Sequence, residues 1–425
     1  MRRIALLATS TAAFTSLPAL ALVVALSGGC GSSDGGGGDV PVDDTGALVD
    51  SAVGAGDSGA RPDATGDASP SDTAKGDGGG GDTAKIDTGS GGDTGASSSD
   101  TGATGSDTGP TSGDTGTTTG SAPTIAGCKI FPDDNPMNAR VDGLAVSADN
   151  AKYMANMHVG TALHPDWGNT TDQYGIPYSS GTGAAPQKMT WTTSYGATES
   201  DKLACADGSP FCYPVPLTAP IEGGPSAAST ADRHVLYVDT AGAPGACTLY
   251  EIYNAQNPGS SGWTASNGAI FPLGTNALRP DGWTSADAAG LSVLAGLVRY
   301  DEVAAGEIRH AIRFTMNNTY NGYIHPATHA AGLSSDAQPP MGLRLRLKKG
   351  TTDGLAGVSA EAKVILHAME KYGLILADNG SNWYVSGDTN DGWTPIMDGI
   401  VTAFGRVHGG DFEVVDTGPV STVGL

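Results

Sequence analysis

The chain has 425 residues, of which 45 are acidic and 22 are basic, so its formal net charge at pH 7 is −23. Nucleic acids and anionic membrane surfaces would be repelled by this charge, and we expect neither as a partner. The length exceeds that of a typical single domain, which makes the order of its segments the first question.

Residues 1–30 are typical of an export signal. Arg2 and Arg3 form a basic start, and an apolar stretch follows through Leu26. The stretch ends at Leu-Ser-Gly-Gly-Cys30, which resembles the lipidation motif of bacterial lipoproteins, although the Leu lies four residues before the Cys instead of three. We predict lipidation at Cys30. An uncleaved membrane helix is the alternative.

Residues 31–125 predict a disordered acidic linker. Gly, Ser, Thr and Asp dominate, and Asp-Thr-Gly recurs about every seven residues. The repeat has no apolar periodicity, so nothing in it requires burial and it has no reason to fold. The segment therefore predicts a tether between the lipidated Cys and whatever follows.

The remaining residues, 126–425, predict one domain, because their composition shows no sharp break. With Cys30 assigned to the lipid, four Cys remain, and their spacing predicts the disulfides Cys128–Cys247 and Cys205–Cys212. The alternative, a four-Cys zinc site, is disfavoured because no CxxC pair is present. Disulfides are typical of an oxidising compartment outside the cytoplasm.

Apolar periodicity predicts more strands than helices in this domain. The fold class expected is therefore β-rich α+β, a decorated β-sandwich with a few single helices. A hairpin is expected from strands 234–239 and 248–253, and the clearest helix spans 359–372. The other predicted strands are 187–195, 307–316, 342–348, 374–377, 383–385 and 412–415, and a short helix is expected between Ser147 and Met157.

The densest stretch of the domain is 279–302. A turn follows Arg279, then Trp283, and Thr284–Asp287 has the spacing of a capping box that opens a helix. An apolar run leads on to Asp301. A buried segment between two charged, aromatic clusters is a suitable support for a site. We therefore predict substrate-binding roles for Arg279, Trp283 and Asp301, together with His310 on the following strand.

A series of motifs in 126–425 resembles a family of secreted bacterial proteins of unassigned function. They read FPDDNPMN, DRHVLYVD, LYEIYNA, RPDGWTSADAAGL, RYDE, HAIRFT, PPMGLRLRL and YGLILADNGSNWY. The resemblance covers nearly all of this region and leaves out the signal and the linker. It implies a single exported domain, but no catalytic residue.

Outside the Gly-rich linker, no GxSxG elbow, phosphate-binding loop, HExxH or dinucleotide fingerprint occurs in the sequence. His325 and His329 have the spacing of a metal-ligand pair, but surface loop histidines are the favoured interpretation, and we expect no metal and no cofactor. Glu222, which precedes two glycines, is the preferred acid/base candidate, together with Asp232 and His234.

Two other carboxylates have plainer interpretations than catalysis. We expect Asp287 to cap a helix, and Asp378-Asn379-Gly380 to form a turn.

These features predict a glycan-directed hydrolase or lyase, with extracellular polysaccharide as its partner. Four tryptophans in Gly- and Asp-rich loops suit sugar rings, although packing under loops would give the same pattern: Trp167, Trp263, Trp283 and Trp383. The alternative is a non-catalytic surface module that binds carbohydrate or a protein. In either case we expect a lipid-anchored protein of the cell envelope, held at the outer membrane or cell surface.

Overall fold

The computed structural model describes residues 121–242, 245–257, 259, 261–333 and 335–425. The predicted signal, Cys30 and nearly all of the predicted linker lie outside these residues. No helix in the described part is long and apolar enough to cross a membrane. The contacts of the domain begin slightly before the predicted boundary at 126, because the Ala122 N–H donates to Asp133 Oδ1 at 2.6 Å.

The described residues contain seventeen strands, in chain order as follows. They are β1 (Thr124–Ile125), β2 (Cys128–Lys129), β3 (His164–Asp166), β4 (Tyr178–Gly181), β5 (Gln187–Trp191), β6 (Cys212–Tyr213), β7 (Val235–Asp239), β8 (Thr248–Tyr253), β9 (Trp263–Ala265), β10 (Asn267–Pro272), β11 (Ile312–Met316), β12 (Tyr320–Tyr323), β13 (Pro340–Met341), β14 (Arg344–Leu347), β15 (Leu374–Asn379), β16 (Tyr384–Ser386) and β17 (Phe412–Val414).

Helices are fewer and mostly short in the same part of the chain. They are α1 (Asn150–Met154), α2 (Gly196–Glu199), α3 (Val293–Gly296), α4 (Tyr300–Ala305), α5 (Thr351–Gly354), α6 (Ala360–Lys371) and α7 (Met397–Phe404), with 3-10 turns at Asp391–Trp393 and Gly409–Asp411.

Two sheets organise the domain. One has four strands in the order β10-β8-β7-β4, and the other has six in the order β17-β14-β15-β11-β16-β3. A smaller sheet, β6-β5-β9, and two strand pairs complete the β-structure. The architecture is a β-rich, sandwich-like α+β fold, so the predicted fold class is confirmed.

The segment 283–299 lies between the two large sheets. On one side Glu251 of β8 accepts hydrogen bonds from the Val293 and Leu294 N–H groups, both at 3.0 Å. On the other side the Ala289 N–H donates to Ala377 of β15 at 2.9 Å, and the Val298 N–H donates to Ser386 of β16 at 3.0 Å. The segment therefore joins both sheets through its backbone, as its apolar and small residues favour.

The helix predicted from the capping box at Thr284–Asp287 is wrong. Within the segment 283–299 only α3 is helical. Its N-cap is Ser292, whose Oγ accepts from the Ala295 N–H. The Asp287 side chain bonds to Arg313 instead of to a helix end. A long-range ion pair has thus overridden a local capping signal.

The other main predictions are confirmed with shifted ends. Strands β7 and β8 form the expected antiparallel pair, with Leu236 opposite Glu251. Helix α6 begins after Ser359, whose Oγ accepts from the Ala362 N–H at 3.2 Å. The strand predicted at 307–316 is confined to β11, because His310 bonds to its own neighbour, the Ala311 carbonyl, at 2.8 Å.

Both predicted disulfides are present. Cys128 pairs with Cys247, and Cys205 pairs with Cys212. The first ties the beginning of the domain to the start of β8, and the second closes a short loop before β6. Two disulfides are typical of proteins in an oxidising, extracytoplasmic compartment.

Candidate active site

One face of the six-stranded sheet is polar. Strand pairing places His164 opposite Tyr384, Asp166 opposite Ser386, and Thr315 opposite both Tyr384 and Asp378. Side chains alternate along a strand, and a register shift after Phe314 brings Asp378, and not Ala377, opposite Thr315, so these residues share one face. We call this set the polar face: His164, Asp166, Arg313, Thr315, Asp378, Tyr384 and Ser386. The opposite face is apolar and belongs to the core, with Pro165, Phe314, Leu376 and Val385.

Arg313 is the central cation of the polar face. Its Nε and Nη2 donate to the two carboxylate oxygens of Asp287 at 3.1 and 2.7 Å, and its Nη1 donates to Ser386 Oγ at 2.5 Å. Burial opposes the charge, but the Asp287 carboxylate outweighs it and raises the pKa of Arg313. The guanidinium is therefore permanently charged, and its donors are largely committed to protein partners.

Asp378 ends β15 beside this ion pair. Its Oδ2 lies 3.9 Å from Arg313 Nη2, and its Oδ1 accepts from the Asn379 N–H at 2.7 Å. Burial, and after it the nearby Asp287 carboxylate, raises the pKa of Asp378 well above its usual range. About 27% of the side chain is still exposed, so this acid can reach a ligand.

Glu222 and His234 form a second charged pair close to Arg313. Glu222 Oε2 accepts from His234 Nδ1 at 2.6 Å and from the His234 N–H at 3.1 Å. Burial opposes both charges, but their mutual attraction raises the pKa of His234 to about 10 and lowers that of Glu222. The imidazole Nε2 donates to the Ala286 carbonyl at 2.9 Å, so both ring nitrogens are occupied. Glu222 remains about 24% exposed.

Aromatic and polar side chains form the rim of this region. The Tyr253 hydroxyl donates to Asp232 at 3.3 Å, and its ring lies 5.5 Å from that of His234. The Tyr174 hydroxyl donates to Asp166 at 2.6 Å. Burial raises the pKa of Asp166, which also interacts electrostatically with Glu222 and Arg313. Asp232 itself is exposed.

His164 and Tyr384 stack on the polar face. Their ring centroids are 4.0 Å apart at an interplanar angle of 22°. The His164 Nε2 lies 3.3 Å from the Tyr174 hydroxyl, to which it donates when the hydroxyl bonds to Asp166. Burial lowers the pKa of His164. The stacked pair therefore presents partly exposed aromatic rings beside the carboxyl groups.

The predicted catalytic residues and the predicted substrate-binding residues lie in different places. Glu222, Asp232 and His234 are brought together near Arg313. Arg279 is instead buried, where it pairs with Asp201 and donates to the Glu199 carbonyl at 2.6 Å, and its guanidinium lies 5.8 Å from the Trp283 ring.

The other predicted substrate-binding residues belong to a third polar cluster. Glu302 Oε2 lies 3.0 Å from His310 Nε2 and 2.9 Å from Arg299 Nη2. His310 is fully buried, so a direct contact with substrate is excluded in this structure. Asp301 is exposed, 3.5 Å from Arg299. Neither residue shares the polar face.

The tryptophan hypothesis requires a similar correction. Trp167, Trp263 and Trp383 are at most 1% exposed and pack in the core, so they offer no ring to a sugar. Trp283 is partly exposed but lies beside Arg279. The aromatic side chains at and beside the polar face are instead half-buried tyrosines, for which the sequence contained no signal.

The histidine pair His325 and His329 does not form a metal-ligand arrangement. His325 Nε2 lies 2.8 Å from Asp281, whereas His329 Nδ1 donates to the Ala288 carbonyl at 2.7 Å. Among the residues that the structure describes, no group of three or more His, Cys, Asp and Glu could hold a metal ion.

Sequence reasoning gave Arg313 no role in the site, and it gave Asp287 and Asp378 plainer roles. A signal for Arg313 was present, because a lone Arg alternates with apolar residues in the strand IRFTM. Asp378, at the end of the apolar run LILA, carries a similar signal. Charged residues in otherwise buried strands are costly unless they are paired.

Two cavities, of about 460 and 540 Å³, lie away from the polar face. One is next to the Cys128–Cys247 disulfide, and the other lies between residues 155–161 and Gln338.

The chain matches no protein-family model, and it has no significant similarity to a curated protein or a solved structure.

Proposed function

We propose that the domain hydrolyses glycosidic bonds, with Asp378 as the general acid and Glu222 as the partner carboxylate. The observation that carries this proposal is the opposite electrostatic environment of two partly exposed carboxyl groups near Arg313. Burial and Asp287 raise the pKa of Asp378, whereas His234 lowers that of Glu222 against the effect of burial. A pair of carboxyls kept in opposite protonation states is the equipment of glycoside hydrolysis.

The chemistry follows from those two states. Asp378 would donate its proton to the bridging oxygen as the bond to the anomeric carbon breaks, and the departing sugar would leave as an alcohol. Glu222 would either attack the anomeric carbon or remove a proton from the attacking water. If Glu222 forms a glycosyl ester, Asp378 then takes a proton from the water that displaces Glu222 from the sugar. If Glu222 instead takes the proton of the attacking water, it passes that proton to solvent, and Asp378 regains a proton from solvent.

Asp378 replaces Asp232 as the preferred partner of Glu222. Asp232 is exposed and accepts a hydrogen bond from Tyr253 at the rim, whereas Asp378 lies beside the buried Arg313–Asp287 pair. His234 is assigned a positioning role, because neither ring nitrogen is free to exchange a proton with a ligand. The half-buried rings of Tyr174, Tyr253 and Tyr384 offer apolar surfaces with polar edges, which suit sugars.

The test is the release of reducing ends from a panel of neutral, amino and acidic polysaccharides. We expect Asp378→Asn and Glu222→Gln each to reduce turnover by about 100-fold or more. The matched control is Asp336→Asn, whose parent carboxylate only pairs with Lys152 at the surface. Circular dichroism and thermal unfolding check that the variants fold. Unchanged turnover in either folded variant would remove that residue from the reaction.

The second candidate is a non-catalytic module that binds carbohydrate with the same face. The hydrogen bonds of Arg313 and His234 support it, because they hold these side chains to protein partners and leave neither His234 ring nitrogen free for proton transfer to a ligand. Binding of glycans on an array without any release of reducing ends would favour this candidate.

The location is also part of the proposal. We propose that lipidation at Cys30 anchors the protein to the outer membrane or the cell surface, with the acidic linker holding the domain away from the bilayer. The supporting observations are the signal-like N-terminus and the two disulfides of the domain. An extracellular polysaccharide would be within reach of such an enzyme.

A further inference from the structure

We infer that the sugar bound at the polar face is neutral or carries an amino group, and that sugars with carboxylate, sulfate or phosphate groups are rejected. This inference rests on the proposed function and specifies its substrate class. It is carried by the arrangement of polar groups around Arg313, in which the cations are already paired with carboxylates and further carboxyl groups lie at the same face.

Arg313 and His234 are the cations in direct contact with this region, and neither is free for an anionic ligand. The side chain of Arg313 is about 5% exposed, and three of its nitrogens donate to Asp287 and Ser386. His234 is also about 5% exposed and uses both ring nitrogens on Glu222 and the Ala286 carbonyl. An anionic sugar would have to break one of these pairs and leave a carboxylate without its partner.

No neighbouring basic residue offers a free cation to an anionic sugar either. Arg233 precedes His234 but is buried, and it donates to the carbonyls of Ala255 at 2.8 Å and Ala227 at 2.7 Å. His164 is kept neutral by burial. His329 Nδ1 donates to the Ala288 carbonyl. The described residues therefore place no guanidinium or ammonium at the polar face that lacks a protein partner.

Acidic groups are in excess over these two cations. Three carboxyls remain after the Arg313–Asp287 and His234–Glu222 pairs are formed, and they are Asp166, Asp232 and Asp378. Their oxygens can accept hydrogen bonds from sugar hydroxyls or from an ammonium group. A carboxylate or sulfate ester in the same space would meet the exposed Asp232 carboxylate and no free cation, so its desolvation would remain uncompensated.

The same arrangement separates the two reaction types expected from the sequence. An eliminating lyase acts on uronic acids, and it must neutralise the sugar's carboxylate before the neighbouring proton can be removed. Without a free cation the polar face is poorly equipped for that step. Hydrolysis requires only an acid, a carboxylate and water, so it is the chemistry that a neutral or amino sugar would undergo.

The experiment compares substrates that differ only in charge. The purified full-length protein is assayed with β-1,4-glucan, β-1,4-glucosamine and β-1,4-glucuronan oligosaccharides, and with methyl-esterified and de-esterified polygalacturonate. Reducing-end release and binding are both measured at low and high salt. We expect the neutral or amino member of each set to be preferred by at least about tenfold at low salt, with a smaller preference at high salt.

A variant tests the electrostatic cause. Asp232→Asn removes one rim carboxylate. We expect it to reduce the preference for neutral or amino substrates over acidic ones by about threefold. The change should appear in KM, because the lost charge affects the binding of the substrate. Asp336→Asn, on a remote surface pair, should leave the preference unchanged. Preferred hydrolysis or binding of the acidic members would overturn the inference and leave the hydrolase proposal in place. Failure to hydrolyse or bind any of the panels would overturn both.

Discussion

Arg313 and Asp287 join the central segment of the domain to its larger sheet through a buried bidentate ion pair. Arg313 lies on β11, and Asp287 lies in the segment 283–299, which also contacts β8. Asp287 is 0% exposed and Arg313 is 4% exposed. A charge at this depth has no water to replace a lost partner.

The first prediction concerns the loss of that partner. Asp287→Asn keeps the size of the side chain but leaves the Arg313 charge without its carboxylate. We expect the free energy of unfolding to fall by about 3–5 kcal/mol, as found when one member of a buried pair is removed. Urea unfolding of the purified protein measures this change.

The matched control is Asp336→Asn, which removes a surface ion pair. Lys152 and Asp336 are 3.2 Å apart, and their side chains are 36% and 77% exposed. We expect a loss below about 1 kcal/mol, because solvent screens the exposed charges. Equal losses in the two variants would show that the Arg313–Asp287 pair does not stabilise the domain.

The second prediction is the pH dependence of stability. His234 has a pKa of about 10 in the folded chain against 6.5 in an unfolded one, so it contributes stability below pH 6.5 that is lost as pH rises towards 10. Glu222 has a lowered pKa and contributes stability above its ordinary value of 4.5, which is lost on acidification. The pair therefore stabilises most between these two limits.

Between about pH 6.5 and pH 9.5 we expect this pair to lose about 3 kcal/mol of stabilisation. Glu222→Gln removes the carboxylate that holds the proton on His234, so its free energy of unfolding should decline less over the same range. Urea titrations at several pH values give both slopes. Parallel slopes in the two proteins would contradict the assignment of the charged pair.

The sequence predicted local structure better than it predicted the site. Periodicity identified α6, the β7–β8 hairpin and the fold class, because each depends on neighbouring residues. The polar face depends on the pairing of β3, β11, β15 and β16, which are far apart in the chain. No local pattern contains that pairing, so Asp378 was interpreted as a turn residue and Arg313 was not singled out.

The predicted catalytic residues lie close together in the structure, whereas the predicted substrate-binding residues do not. His234 directly precedes β7, and Glu222, 12 residues earlier in the chain, does meet it. Arg279 and His310 were chosen as neighbours of one dense stretch, but its two ends contact different parts of the domain. Closeness along the chain did not produce closeness in space.

The third prediction compares two glycines with left-handed backbone conformations. Gly290 has φ of 72°, and a Cβ there would meet the Trp283 carbonyl oxygen at 2.7 Å as well as the Thr328 hydroxyl. Gly306 ends α4 with φ of 89°, and a Cβ there would meet nothing within 4 Å. Substitution by Ala therefore separates backbone strain from steric overlap.

We expect Gly306→Ala to cost about 1 kcal/mol, the penalty of a left-handed residue with a Cβ. Gly290→Ala should cost at least about 2 kcal/mol more, because backbone in the central segment must also move. Thermal or urea unfolding measures both values. Similar costs would mean that the segment around Gly290 adjusts freely, contrary to its close packing between the sheets.

The last prediction tests the proposed anchor. The basic start, the apolar stretch and Cys30 predict processing to a lipidated N-terminus, and several acyl chains hold a protein stably on a membrane where one does not. Cys30→Ser should therefore move the protein into the soluble or secreted fraction, while the domain keeps its two disulfides and its thermal transition. Ser32→Ala, two residues beyond the modified position, should stay with the membrane like the parent protein. Retention of Cys30→Ser in the membrane after a high-pH wash would instead identify residues 4–26 as an uncleaved anchor.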